Sequence, residues 1–183
     1  MPKVIKNGRI VSDDWRILAL DEDETPAAAI VPAGHVLVPL EVWHAHRAQL
    51  LERAARGEVG VWLAGDDDLD ALAGDVPQFG IIAVNFPKFT DGRGYSIATL
   101  LRTRYGYTGE LRAIGDVLRD QFNYLTRSGF DALQPRADRY TDEQLEAAVA
   151  SVSDFTQPYQ ASATHPQPLF RRVARPGSQR VES

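Results

Sequence analysis

At 183 residues the chain is long enough for one ordinary globular domain that buries most of its apolar surface. Hydrophobic residues make up 44% and charged residues 25%, close to the globular average, which excludes wholesale disorder; no run approaches the roughly 18 to 20 apolar residues of a membrane span. There are no cysteines, which excludes disulfides, thiolate nucleophiles, and iron–sulfur or zinc ligation by cysteine. The net charge of -5 is unevenly spread: residues 157–183 hold Arg171, Arg172, Arg175 and Arg180 against Glu182, so 1–156 carry a net -8. Such a body repels phosphate backbones and argues against nucleic acid as a partner.

The first residues, MPKVIKNGRIVSDDW, lack the apolar h-region of a signal peptide, which together with the absence of cysteine sets the expectation of a cytoplasmic protein. Lys3–Lys6 and Arg9–Val11 flank Asn7-Gly8, the two-residue hairpin sequence. Asp13–Leu20 suggests a third strand, and Val36–Pro39 a short apolar one. From there strand and helix alternate. Helix 41–56 carries Trp43, Leu50, Leu51 and Ala54 at helical spacing and stops at Gly57. Strand 60–64 leads through Asp66, Asp67 and Asp68 into a short helix at 68–74, and this acidic run reads as a solvated helix start rather than a cation site. Ile81–Phe86 is near-continuously apolar, as a strand covered on both faces is. Helix 95–105, strand 110–114, a helix over 117–128 capped by Asp116, and strand 130–133 follow. Thr141-Asp142-Glu143-Gln144 is a capping box opening helix 142–154.

The expected fold is α/β: four consecutive βα units forming a parallel sheet, open or half-barrel-like, with an N-terminal β-hairpin. Eight units would close a barrel of about 250 residues, and this chain is too short for that. Residues 1–156 read as a single domain, with the hairpin region at 1–38 and the βα units at 39–156. Residues 157–183, with Pro158, Pro166, Pro168 and Pro176, read as a mobile tail.

Ligands of parallel α/β sheets gather at the carboxyl ends of the strands. The loops there are 65–68, 87–96, 115–116 and 134–136. The second is the richest in chemistry. Gly92 and Gly94 permit close backbone approach and positive φ. The amides of Gly94, Tyr95 and Ser96 open a helix whose dipole favours an anion, and Lys88 and Arg93 add positive charge. The competing reading is a tight turn in which Asp91 caps the helix and Arg93 is solvated. Arg112, inside a strand expected to be buried, needs a carboxylate, and Asp91 and Asp116 are its expected partners; a structural ion pair and a ligand-binding arginine are both open. Asp91 and Asp116 are the candidates for proton transfer, although Asp116 also suits a helix cap. His44 and His46, two apart on a helix, face apart, so no metal site is expected. No phosphate-binding loop, nucleophile elbow or complete dinucleotide fingerprint is present, and no cofactor is evident.

The run from Phe86 to Ser96, followed by Leu101-Arg102, Gly106-Tyr107, Gly109–Ala113 and Gly115–Gln121, resembles a bacterial domain-of-unknown-function family. The resemblance spans roughly residues 35–135. Members of that family carry the label of an oxidoreductase involved in sulfite reduction, which reflects neighbouring genes for a nitrite/sulfite reductase and other sulfate-assimilation enzymes. The resemblance implies an accessory protein of assimilatory sulfite reduction that binds an oxyanion or phosphorylated metabolite at the glycine-rich loop, docks on the reductase, or both. The alternative is an independent small enzyme with a bound flavin or nicotinamide, and a bare docking partner is a third reading. The resemblance brings no catalytic residues. A homodimer of two half-barrels is compatible with it.

Overall fold

A computed structural model describes residues 3–136 and 138–152; the tail expected at 157–183 lies outside them. Lys3–Lys6 (β1) and Arg9–Ser12 (β2) pair antiparallel from Lys6 opposite Arg9 to Lys3 opposite Ser12. Asn7 and Gly8 sit at φ 49° and 71°, the turn geometry whose twist matches that of the strands it joins.

The third strand is shorter than expected, Arg16–Ile17 (β3), and it does not extend the hairpin. It pairs in parallel with Val36–Pro39 (β4) at the far edge of the sheet. Residues 13–15 therefore cross the sheet from one edge to the other. Burial draws them off the ladder: Asp13 reaches a buried arginine, and Trp15 packs on Leu37, Ile81, Ala83 and Ile114.

The remaining elements follow the expected order. They are Leu40–Ala55 (α1), Val59–Leu63 (β5), Leu69–Leu72 (α2), Ile81–Phe86 (β6), Arg93–Thr103 (α3), Glu110–Gly115 (β7), Phe122–Ser128 (α4), Ala132–Pro135 (β8) and Asp142–Val152 (α5). The strands form one eight-stranded sheet in the order β2-β1-β8-β7-β6-β5-β4-β3, curled like half of a barrel. Neighbours from β3 to β8 are parallel, whereas β1 meets β8 antiparallel through Ile5 opposite Leu133 and Lys6 opposite Ala132. The sheet is thus not purely parallel. The hairpin satisfies the open edge of β8 instead of standing apart, since unpaired edge groups favour pairing.

The crossovers are also less regular than the expected units. β3 and β4 are joined through a 3-10 turn at Pro26–Ala28, α2 is a single turn, and the helix expected over 117–128 is broken into a 3-10 turn at Arg119–Gln121 followed by α4. Asp116 does not cap it. Thr141 and Gln144 do form the expected capping box at α5: the Gln144 amide donates to Thr141 Oγ1 at 3.3 Å, and the Thr141 amide donates to Gln144 Oε1 at 3.0 Å.

Strand alternation separates two faces. Val61 and Leu63 of β5, Ile82, Val84 and Phe86 of β6, and Leu111 and Ala113 of β7 face the helices, meeting Leu50, Leu101 and Leu125 among others in the main core. Each fully buried side chain of this kind stabilises by about 1.5–3 kcal/mol. The opposite, concave face carries the small cluster of Leu37, Ile81, Ala83 and Ile114, covered by Trp15 and Trp62. That face positions the site.

Candidate functional site

The glycine-rich loop and Arg112 do not converge. A Cβ on Gly94 would lie 2.6 Å from Cζ of Phe86 and 3.1 Å from Cγ1 of Val84, so this glycine lets α3 lie close on the helix-side face. Neither Gly92 nor Gly94 takes positive φ, and Gly92, at φ -79°, has open space where a Cβ would be. Arg112 points to the concave face. The two candidates from the sequence therefore stand on opposite faces of the sheet.

The start of α3 already holds an anion of its own. Asp91 accepts from the Arg93 amide at 3.1 Å and from Arg93 Nε at 3.0 Å, with Nη2 at 2.7 Å from the second oxygen. Hydrogen bonding to Arg93 lowers the Asp91 carboxyl to about 2, which makes it a weak base at neutral pH. Lys88 and Ser96 are exposed. Tyr95 packs its ring 5.3 Å from Phe86 and 4.8 Å from Tyr124; burial raises its phenol above the usual range. The contacts are those of a tight turn braced by its own Asp91–Arg93 pair and packed on Phe86; the N-cap position itself is Gly92, and Arg93 is paired rather than only solvated. Replacing Gly94 by Ala is expected to lower stability by about 1–3 kcal/mol, since the added methyl meets a buried aromatic ring; urea unfolding curves of the two proteins measure it.

Asp116 is a clasp rather than a cap. Its Oδ2 accepts from the Phe89 amide at 3.2 Å, its Oδ1 lies 2.7 Å from Arg139 Nη2, and its own amide donates to the Phe86 carbonyl at 2.7 Å. It ties the loop after β6 to the end of β7 and to residue 139. In the acidic run, Asp68 accepts from the Asp70 amide at 2.9 Å and so caps α2. Among the described residues, no group of three or more His, Asp or Glu could hold a metal ion.

Arg112 is wholly buried, and its partners are neither Asp91 nor Asp116. Its Nη2 donates to Asp13 Oδ2 at 2.8 Å, its Nε to Glu110 Oε1 at 2.8 Å, and its Nη1 to Gln134 Oε1 at 2.9 Å. Lys6 completes the network, 2.8 Å from Glu110. Burial alone would raise the Asp13 carboxyl, but hydrogen bonds from Arg112 and the Trp15 amide, with the charges of Arg112 and Lys6, hold it below the usual carboxylate range. Of the two carboxylates, Glu110 comes from the same strand and Asp13 from the crossing segment, ninety-nine residues away in sequence.

Above this network, toward the carboxyl ends of the parallel strands, the concave face opens into a cavity of about 550 Å³. Trp62, Asn85, Ile114 and Gln134 line it from four adjacent strands, β5 to β8. Ile17 of β3 walls one side, and Lys3, Arg136 and Tyr140 border it. The rim rule applied to the sequence did reach 134–136 and Gly115. It missed Asn85, whose sequence signature is a lone amide closing an otherwise apolar strand, on the same alternation as Ile81 and Ala83. Trp62, Lys3 and Ile17 carry no local signature; the sheet order alone brings them here.

Fold and cavity together define an α/β half-barrel protein with a cavity of ligand size at the carboxyl rim of its parallel strands. The chain belongs to the family described as "Bacterial protein of unknown function (DUF934)", whose model matches residues 60–170. That match includes Trp62, Asn85, Gln134 and Arg136, while Lys3, Asp13 and Ile17 precede it. No curated protein matches the chain, and no solved structure does. Among the described residues, no helix is long and apolar enough to cross a membrane.

Proposed function

We propose that this protein is an accessory protein of assimilatory sulfite reduction that binds a small oxyanion or phosphorylated metabolite in the concave-face cavity and docks on the reductase. The observation that carries the binding role is the cavity itself, a space of about 550 Å³ bordered by Lys3 and Arg136, within the range of small-molecule sites and at the end of the sheet where such sites form. Both cations are held by exposed carboxylates, Lys3 by Asp142 at 2.6 Å and Arg136 by Asp138 at 2.9 Å. Exposed pairs of this kind contribute only about 0–1 kcal/mol, so an arriving oxyanion displaces them at little cost. The link to sulfite reduction rests on the family resemblance set out above.

Thermal unfolding of the full chain with sulfite, sulfate, phosphate, and nicotinamide and adenine nucleotides tests the binding role. A ligand at a hundred times its Kd adds about 2.7 kcal/mol, a rise of roughly 5–11 °C for a domain of this size. The double substitution Lys3→Ala, Arg136→Ala is expected to remove most of that rise, and Arg93→Ala to leave it intact. The reverse pattern would return the ligand to the glycine-rich loop. Co-purification of a nitrite/sulfite reductase with the tagged chain is the expected result for docking; turnover with a flavin or nicotinamide and no reductase partner would make it an independent enzyme.

A further inference from the structure

We infer that the ligand of this cavity is of the mononucleotide type, a planar heterocycle with a hydrogen-bond-accepting edge joined to a phosphate. This rests on the reading of the cavity as the binding site. Gln134 is only 9% exposed, and its orientation is not free. A guanidinium only donates, so Oε1 of the carboxamide must face Arg112 Nη1, which lies 2.9 Å from it. Arg112 in turn cannot swing, because Asp13 and Glu110 hold its other nitrogens. The amino group of Gln134 is thereby directed away from Arg112, on a residue that lines the cavity, and Nε2 meets no protein acceptor among the described residues. It is a donor with a fixed direction, open to the cavity and free to meet an acceptor there.

A second carboxamide stands in the same row. Asn85, Ile114 and Gln134 are directly opposite one another on β6, β7 and β8, so the two amides are about 10 Å apart with Ile114 between them, at about 4.8 Å per strand. Asn85 is half-buried, and its side-chain amide meets no hydrogen-bond partner among the described residues. A flat ring laid over Ile114 meets an amide on either side, and paired amide contacts of this kind read heterocycle edges. Trp62 walls the cavity with its N–H already given to the Leu18 carbonyl at 2.7 Å, so what it offers a ligand is its hydrocarbon ring, a surface on which bases stack. Lys3 and Arg136 at the border then suit the phosphate rather than the ring.

Isothermal titration of the full chain with inorganic phosphate, AMP and FMN decides this, the last two separating a purine from a flavin ring. Either nucleotide is expected to bind at least tenfold tighter than phosphate. Gln134→Met keeps the size of the side chain and removes the donor; it is expected to weaken the nucleotide tenfold or more and to leave phosphate within twofold. Asn85→Leu is expected to act in the same direction and stands in should Gln134→Met fail to fold. Phosphate binding as tightly as both nucleotides overturns the nucleotide inference while the oxyanion site stands. A nucleotide that binds both variants as it binds the parent sits elsewhere and overturns it too. No binding by phosphate or by any anion of the thermal series defeats the cavity reading itself, and the inference with it.

Discussion

Replacing Asp13 by Ala is expected to destabilise the protein by about 3 kcal/mol at neutral pH, the lower end of the cost of breaking a buried ion pair. Arg112 is 0% exposed and its Asp13 partner 4% exposed at the side chain, so the loss leaves a guanidinium in the protein interior short of one carboxylate. Glu110 and Gln134 still hold it, which is why the cost does not reach the upper end. In a domain of this size the melting temperature falls by roughly 6–12 °C. The pH dependence identifies the source. The Asp13 carboxyl is depressed in the folded state, so its contribution is present above its unfolded value near 3.9 and disappears as the pH falls through the lower folded value. The stability gap between the parent and Asp13→Ala, read from urea midpoints, is therefore expected to be full at pH 6–7 and to close below about pH 4. A gap that stays constant down to pH 3 would mean that lost packing of the crossing segment, not charge, accounts for it. Asp13→Asn keeps the volume and separates the two further.

Gly115→Ala is the second large effect, with a loss of about 2–4 kcal/mol. Two costs add. Gly115 sits at φ 97°, where a side chain is strained by about 1 kcal/mol or more. Its Cβ would also lie 2.5 Å from the Phe86 carbonyl oxygen and 2.6 Å from Asn85 Oδ1. The carbonyl cannot retreat freely, because it accepts from the Asp116 amide at 2.7 Å, and overpacking of this kind costs about 1–3 kcal/mol. The movable neighbour is the Asn85 amide, so ligand affinity is expected to fall together with stability. Gly92→Ala, with φ -79° and nothing in the way of a Cβ, is the control and is expected to change neither. Urea unfolding and a thermal-shift titration on the same three proteins check both parts.

The two substitutions mark what a linear reading reaches. The hairpin at Asn7-Gly8, the capping box at Thr141, and the apolar strand Ile81–Phe86 are local facts, each set by a few adjacent residues, and all three stand. The loop after β6 was legible as a tight turn, though not the pairing inside it: Asp91 and Arg93 are two residues apart and find each other without help from the fold. Its glycines looked like a ligand cradle because a Gly that admits a ligand and a Gly that admits a Phe ring are the same letter. Arg112 was legible as a buried charge needing a carboxylate. Glu110, two residues along the same face of β7, was within reach of strand alternation and went unread, whereas Asp13, ninety-nine residues away, was not legible because only the crossing of the sheet brings it there.

By themselves the residues determined the class of the molecule, through helical and strand spacing, turn chemistry and the absence of cysteine, all of which act over a few residues at a time. Tertiary structure alone decided where β3 pairs, that the segment through Asp13 and Trp15 crosses the concave face, and that Lys3, Trp62, Asn85 and Gln134 surround one cavity. Strand order is a long-range choice made by burial and edge pairing over the whole sheet, and alternation assigns each residue a face only after that order is set. The candidate site therefore belongs to the sheet as a whole, with Asp142 and Leu145 of α5 closing one side.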